Sequence, residues 1–198
     1  MTDTATSPGR PSLAVPLTAL AAGGLVALLL GVFGKAHDPT LDGTTALGFD
    51  TVLEMKVALT LVIAVLVVLQ VLGALAMYGR LGFTAPAWLG TAHRASGTVA
   101  LLLTVFVAYH CLWALGLESG RFDDGEKVPL RTVVHGLLGC AVFGAVVVKV
   151  VAVRSKRAPG WFLPLAGGLL FALLVAVVLT SAVWYVGAKG WPSPSGGY

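Results

Sequence analysis

Most of the charge along this chain falls in short stretches between, or at the ends of, long apolar runs. Five runs stand out: Ser12 to Gly34, Val52 to Met77, Thr91 to Leu117, Thr132 to Val153 and Trp161 to Gly187. Each reaches the roughly 20 mainly apolar residues needed to cross a bilayer. Backbone polar groups in lipid must be satisfied within the segment, and the alternating polar face of a barrel strand is absent, so the runs predict helices. The expected fold is an all-α integral membrane protein with five transmembrane helices, spans two to five forming a four-helix bundle. Residues 12–187 make one membrane domain, between a disordered tail over residues 1–11 and a flexible, Pro/Ser/Gly-rich tail over residues 188–198.

The composition agrees with the pattern. Of 198 residues, 57% are hydrophobic and 11% charged, outside the range of an ordinary soluble domain. The net charge of +4 does not point to nucleic acid, because the basic residues cluster at the ends of the apolar runs. Arg10, Arg80, Arg94, Arg154, Lys156 and Arg157 fall on one side. Lys35 with Asp38, Asp42, Asp50, Glu54 and Lys56, and the stretch ESGRFDDGEKVPLR, fall on the other. This asymmetry predicts a multi-pass plasma-membrane protein with a cytoplasmic amino terminus and an external carboxyl terminus. Trp88, Trp161 and Phe162 would form an inner aromatic belt, and Trp184, Tyr185 and Trp191 an outer one. The first run is longer than the apolar core of a signal peptide and reads as an uncleaved helix.

Few polar residues lie inside the spans. No Asp or Glu is deep in any of them, which argues against a carboxylate proton relay or a cation channel. Cys111 and Cys140 lack metal-site or disulfide spacing and read as small packing residues. The many glycines, such as Gly23, Gly97 and Gly144, read as points of close helix approach. Gln70 suits an interhelical hydrogen bond, and Lys149 lies near enough to the cytoplasmic end to snorkel. Thr180 and Ser181 have no base nearby in sequence, so hydrolase chemistry is unsupported.

The histidines require a reason. His110, in VAYHCLW, and His135, in VVHGLLGC, occupy consecutive antiparallel spans at about 10 Å and 5 Å below the outer boundary. Two imidazoles at matching depth suit a bis-imidazole haem b, each ring ligating iron from one face of the macrocycle. Gly139 lies one turn beyond His135 and Ala114 one turn beyond His110, leaving room for a porphyrin. Arg131 and Lys127 are placed to pair with its propionates. The alternatives are histidines that only hydrogen-bond between helices, or a copper or zinc site completed by His37 with Asp38 or Glu54.

The stretch HRASG, from His93 to Gly97, resembles the HRxSG segment of membrane cytochromes b, including the succinate dehydrogenase anchor and the ferric-reductase-like transmembrane families. That resemblance implies quinone contacts for Arg94 and Ser96. The longer pattern after Trp88 (VAYHCLWALG, HGLLGCAVFGAVVVK, PGWFLPLAGGLLF) looks like a group of five-span actinobacterial membrane proteins of unknown function. A second, inner haem would use His93, with Met77 as an axial candidate. His93 and His110, however, are seventeen residues apart and ~100° out of phase, and Lys149 stands where the fourth span would need a histidine. His93 is then a propionate or quinone contact, or half of an interfacial pair with Arg94. The expected activity is a haem b membrane electron carrier, or the subunit of an oxidoreductase, passing electrons between quinol and an external redox protein. The alternative is a non-catalytic membrane scaffold or assembly subunit.

Overall fold

The computed structural model describes residues 12–114 and 129–194. Five helical spans cross in alternating directions: α1 (Ala14–Ala36), α2 (Val52–Met77), α3 (Leu89–Ala114), α4 (Leu130–Arg154) and α5 (Phe162–Val178). The fifth continues through one π-helical turn (Leu179–Val183) into the short α6 (Trp184–Lys189). All five are long and apolar enough to span a membrane. Wherever both ends are described, they fall within two residues of the apolar runs. The tails over residues 1–11 and 195–198, Leu117 and Lys127 lie outside the described residues.

Local signals explain the ends. Thr51 caps α2 by accepting from the Glu54 amide at 3.1 Å, which fixes its first turn. The same helix stops at Gly79, whose φ of 68° places it in the left-handed region. There the Gly79 amide donates to Ala76 and the Arg80 amide to Leu75, closing a Schellman motif on otherwise unpaired carbonyls. The carboxyl-terminal segment folds back, and Pro194 pairs with Phe49 in an isolated antiparallel bridge.

Packing around the bundle follows the order α3, α2, α5, α4, and α1 lies along α4. The two helices that carry His110 and His135 are consecutive in sequence but do not form a packed pair. α1 and α4 approach most closely at Gly23 and Gly144, where a Cβ on Gly23 would stand 2.5 Å from the Gly144 carbonyl oxygen. Such contact of backbones supplies dispersion that apolar transfer cannot supply in lipid. At the arginine-rich end, Ala19, Val148, Ala152, Phe162 and Ala166 form a compact cluster. Phe162 is 3% exposed, so it belongs to this core and not to the aromatic belt expected of it. Large apolar side chains such as Leu17, Leu28, Val65 and Leu102 cover the outside, as the surface of a membrane bundle requires.

Candidate polar sites at the two ends of the bundle

At the arginine-rich end, polar side chains join α2 to α3. Gln70 Nε2 donates to the His93 carbonyl at 2.8 Å and to Ser96 Oγ at 2.7 Å, and the Ser96 hydroxyl donates to the Ala92 carbonyl at 2.8 Å. Each helix supplies a glycine to receive the other's polar side chain. Gly97 faces the Gln70 amide, and Gly73 faces the His93 ring, with Nδ1 3.2 Å from where a Cβ would be. That Nδ1 is buried without a hydrogen-bond partner. Ser96 is thus committed to an interhelical clasp, and Arg94 is exposed, bonding Thr91 Oγ1 at 3.2 Å. Met77 packs beside Gly90. Lys149 of α4 is a charged neighbour of His93.

At the acidic end, the segment after α1 is strapped across α3. The Trp113 indole donates to the Asp42 carbonyl at 2.7 Å, the Thr40 amide to the Trp113 carbonyl at 3.2 Å, and the Tyr109 hydroxyl to the Gly43 carbonyl at 3.4 Å. His37 stacks on Trp113 with ring centroids 4.4 Å apart. His110 lies beneath this strap, 1% exposed. Its Nε2 accepts from the Thr45 amide at 3.2 Å, so the proton must reside on Nδ1, which donates to the Phe106 carbonyl at 2.9 Å. An apolar groove lined by Leu30, Phe33, Tyr109, Leu112 and Trp113 adjoins the strap and gathers no set of polar donors.

His135 belongs to a second cluster, made by α4 with the π turn. Its Nδ1 lies 3.1 Å from Thr180 Oγ1. Thr180 Oγ1 also lies 2.8 Å from the Ala176 carbonyl and 3.1 Å from that of Val177; with its proton on the Ala176 carbonyl, Oγ1 accepts from Nδ1–H and Nε2 keeps the lone pair. The π turn changes carbonyl directions locally. Here the Thr180 carbonyl accepts from Arg131 at 2.6 Å, while the Arg131 guanidinium stands 3.5 Å from the centre of the Trp184 ring. From α2, Lys56 bears on His135 electrostatically, and Glu54 accepts from the Tyr185 hydroxyl at 3.4 Å. A Cβ on Gly139 would meet nothing within 4 Å, so the α4 face one turn from His135 is open.

The expected site residues therefore separate. His135, Arg131 and Gly139 share one face region; His93, Arg94 and Ser96 gather at the opposite end; His110 stands under the strap. No contact joins the rings of His110 and His135. For an iron porphyrin, His135 fits in tautomer and in the open face beside it. His110 fits in tautomer, but its ring is enclosed and its lone pair engaged. Among the described residues, no three His, Cys, Asp or Glu side chains converge on a metal position. The sequence reading missed that Thr180 and Lys56 both lie beside His135, Thr180 because the imidazole is 45 residues away and Lys56 because it reads as one of the loop charges. A profile described as a family of unknown function (DUF6529) matches residues 14–193. No curated protein and no solved structure matches the chain.

Proposed function

The chain belongs to the family of unknown function DUF6529, and from its own side chains we propose that it is a haem b-binding membrane electron carrier, with His135 as the anchored iron ligand. The observation that carries this reading is the contact of His135 Nδ1 with Thr180 Oγ1 at 3.1 Å. Thr180 holds Nδ1–H, which leaves Nε2 bare and orients the ring, the arrangement second-shell oxygens give to ligating histidines. His110 has the same tautomer through Phe106 and would be the second residue to hold the iron, its lone pair being engaged here by the single Thr45 amide. The group would supply one-electron chemistry between ferrous and ferric iron. The protein's part is to fix the ring, exclude water and set positive charge beside it through Arg131. The electron donor would be a quinol, with Arg94 and His93 at the cytoplasmic entrance, and the acceptor an external redox protein. The amino terminus is then inside and the acidic end outside, in a plasma membrane.

The enclosure of His110 favours a second reading, in which both imidazoles are cross-links of a non-catalytic membrane subunit. A reduced-minus-oxidised spectrum of the protein in neutral detergent separates the two. The haem reading expects b-type α and Soret bands that disappear in His135→Ala. A folded colourless protein, or pigment that survives both His135→Ala and His110→Ala, overturns it.

A further inference from the structure

The strap over His110 is held by its backbone. Between Asp38 and Gly48 no side chain is buried, and Leu41 and Leu47 are 70% and 57% exposed. Every hydrogen bond described between this stretch and α3 uses a strap backbone group, at Thr40, Asp42, Gly43 or Thr45, and ends on the one helical turn from Tyr109 to Trp113. Bonds of its own keep the stretch compact: the Asp42 amide donates to Thr40 Oγ1 at 3.2 Å, the Thr44 amide to the Leu41 carbonyl at 3.1 Å and the Leu47 amide to Thr45 Oγ1 at 3.2 Å. Its two ends are fixed separately. His37 stacks on Phe33 and Trp113 with ring centroids 5.2 and 4.4 Å away, and Phe49 is bridged to Pro194. Beside that second anchor Leu47 holds a φ of 46°, a conformation leucine rarely adopts, so the closed form carries local strain. A segment with polar anchors and no buried apolar side chain belongs to the least stable part of a fold and opens first.

His110 has one lone pair to give. Its Nδ1 donates to the Phe106 carbonyl, and a backbone amide can only donate, so Nε2 meets Thr45 as an acceptor. A metal bound by a neutral imidazole takes that same lone pair. We infer that residues 38–48 are an autoinhibitory latch: closed, they commit the His110 lone pair to the Thr45 amide, and they swing away as one body, between the His37 stack and the Phe49 bridge, before His110 can bind a Lewis acid. Because one compact unit carries all the anchors, loosening any of them loosens the rest. The exclusion is reciprocal. Whatever binds Nε2 favours the open latch, and whatever holds the latch shut weakens binding at Nε2 by the same factor. That the Lewis acid is haem iron rests on the reading above; the latch itself does not.

The test uses the full-length, pigment-free protein in neutral detergent and diethyl pyrocarbonate, which acylates an imidazole nitrogen only where its lone pair is free. Mass spectrometry of the peptides reads the rate at each histidine. His110 should react about five- to tenfold faster in Thr45→Pro, which deletes the amide proton, a factor equal to the equilibrium weight of one hydrogen bond. A similar acceleration is expected in Trp113→Phe, which removes the Asp42 anchor without touching Thr45. Thr45→Ser, which keeps the amide, should react as the parent does, and the rate at His93, at the opposite end, should not move in any variant. An unchanged His110 rate in either Thr45→Pro or Trp113→Phe overturns the inference. A second arm titrates haemin and follows its Soret band, with tighter binding expected in Thr45→Pro than in Thr45→Ser by a similar factor. Faster acylation of His110 in both opened variants, with haemin bound by none of them, would sustain the latch while removing the haem reading. Haemin bound equally by Thr45→Pro and Thr45→Ser, with equal His110 rates, would do the reverse.

Discussion

Replacing Gly23 by alanine tests the packing on which the bundle rests. The added Cβ would lie 2.5 Å from the Gly144 carbonyl oxygen and 2.8 Å from Val148 Cγ2. Neither atom belongs to a flexible side-chain end, so α1 and α4 must separate by several tenths of an ångström along their shared crossing. Overpacking of this kind costs about 1–3 kcal/mol. It is opposed by the better helix propensity of alanine, roughly 0.5–1 kcal/mol in a helix interior. The expected net loss is about 1–2 kcal/mol, or about five- to thirtyfold in the folding equilibrium. Gly24 is the internal control, because a Cβ there meets nothing within 4 Å. Its alanine variant keeps the propensity gain without the clash and should be neutral or slightly more stable. Equilibrium unfolding in mixed detergent micelles, followed by helical circular dichroism, gives both values. Equal stability of Gly23→Ala and Gly24→Ala would refute the α1/α4 crossing.

Two further outcomes follow from other contacts. In a double-mutant cycle, Gln70→Leu and Ser96→Ala should each cost roughly 0.6–1.7 kcal/mol and show positive coupling, since one hydrogen bond joins them; additive losses would contradict the clasp. His110→Ala should release the strap, so that a cysteine placed at Thr44 reacts faster with a water-soluble maleimide than it does beside an intact His110, and an unchanged rate would contradict the Thr45 bond.

The spans were legible because crossing lipid demands long apolar runs, and these appear in the sequence without any knowledge of packing. Helix neighbours were not legible. In a membrane every face of a helix is apolar, so no polar stripe reports which side meets which partner, and order in the chain suggested α3 beside α4 where the bundle sets α4 against α1 and α5. Gln70 was read correctly as an interhelical donor, whereas Ser96, assigned to quinone by resemblance, is held by that same amide. Thr180 was dismissed for want of a nearby base, yet the π turn carries it to His135. Lys56 reads as one of the loop charges, yet the first turns of α2 leave it only 7% exposed.

Iron binding at His135 requires a bare Nε2, with Thr180 holding the proton on Nδ1. Nitrogen-resolved NMR of histidine-labelled, pigment-free protein in lipid measures that state directly. The result expected is a neutral His135 protonated at Nδ1 alone, with the signal redistributed between tautomers in Thr180→Val. A His135 protonated at Nε2 in the parent protein would contradict the claim, since that nitrogen would then have no lone pair to offer a metal.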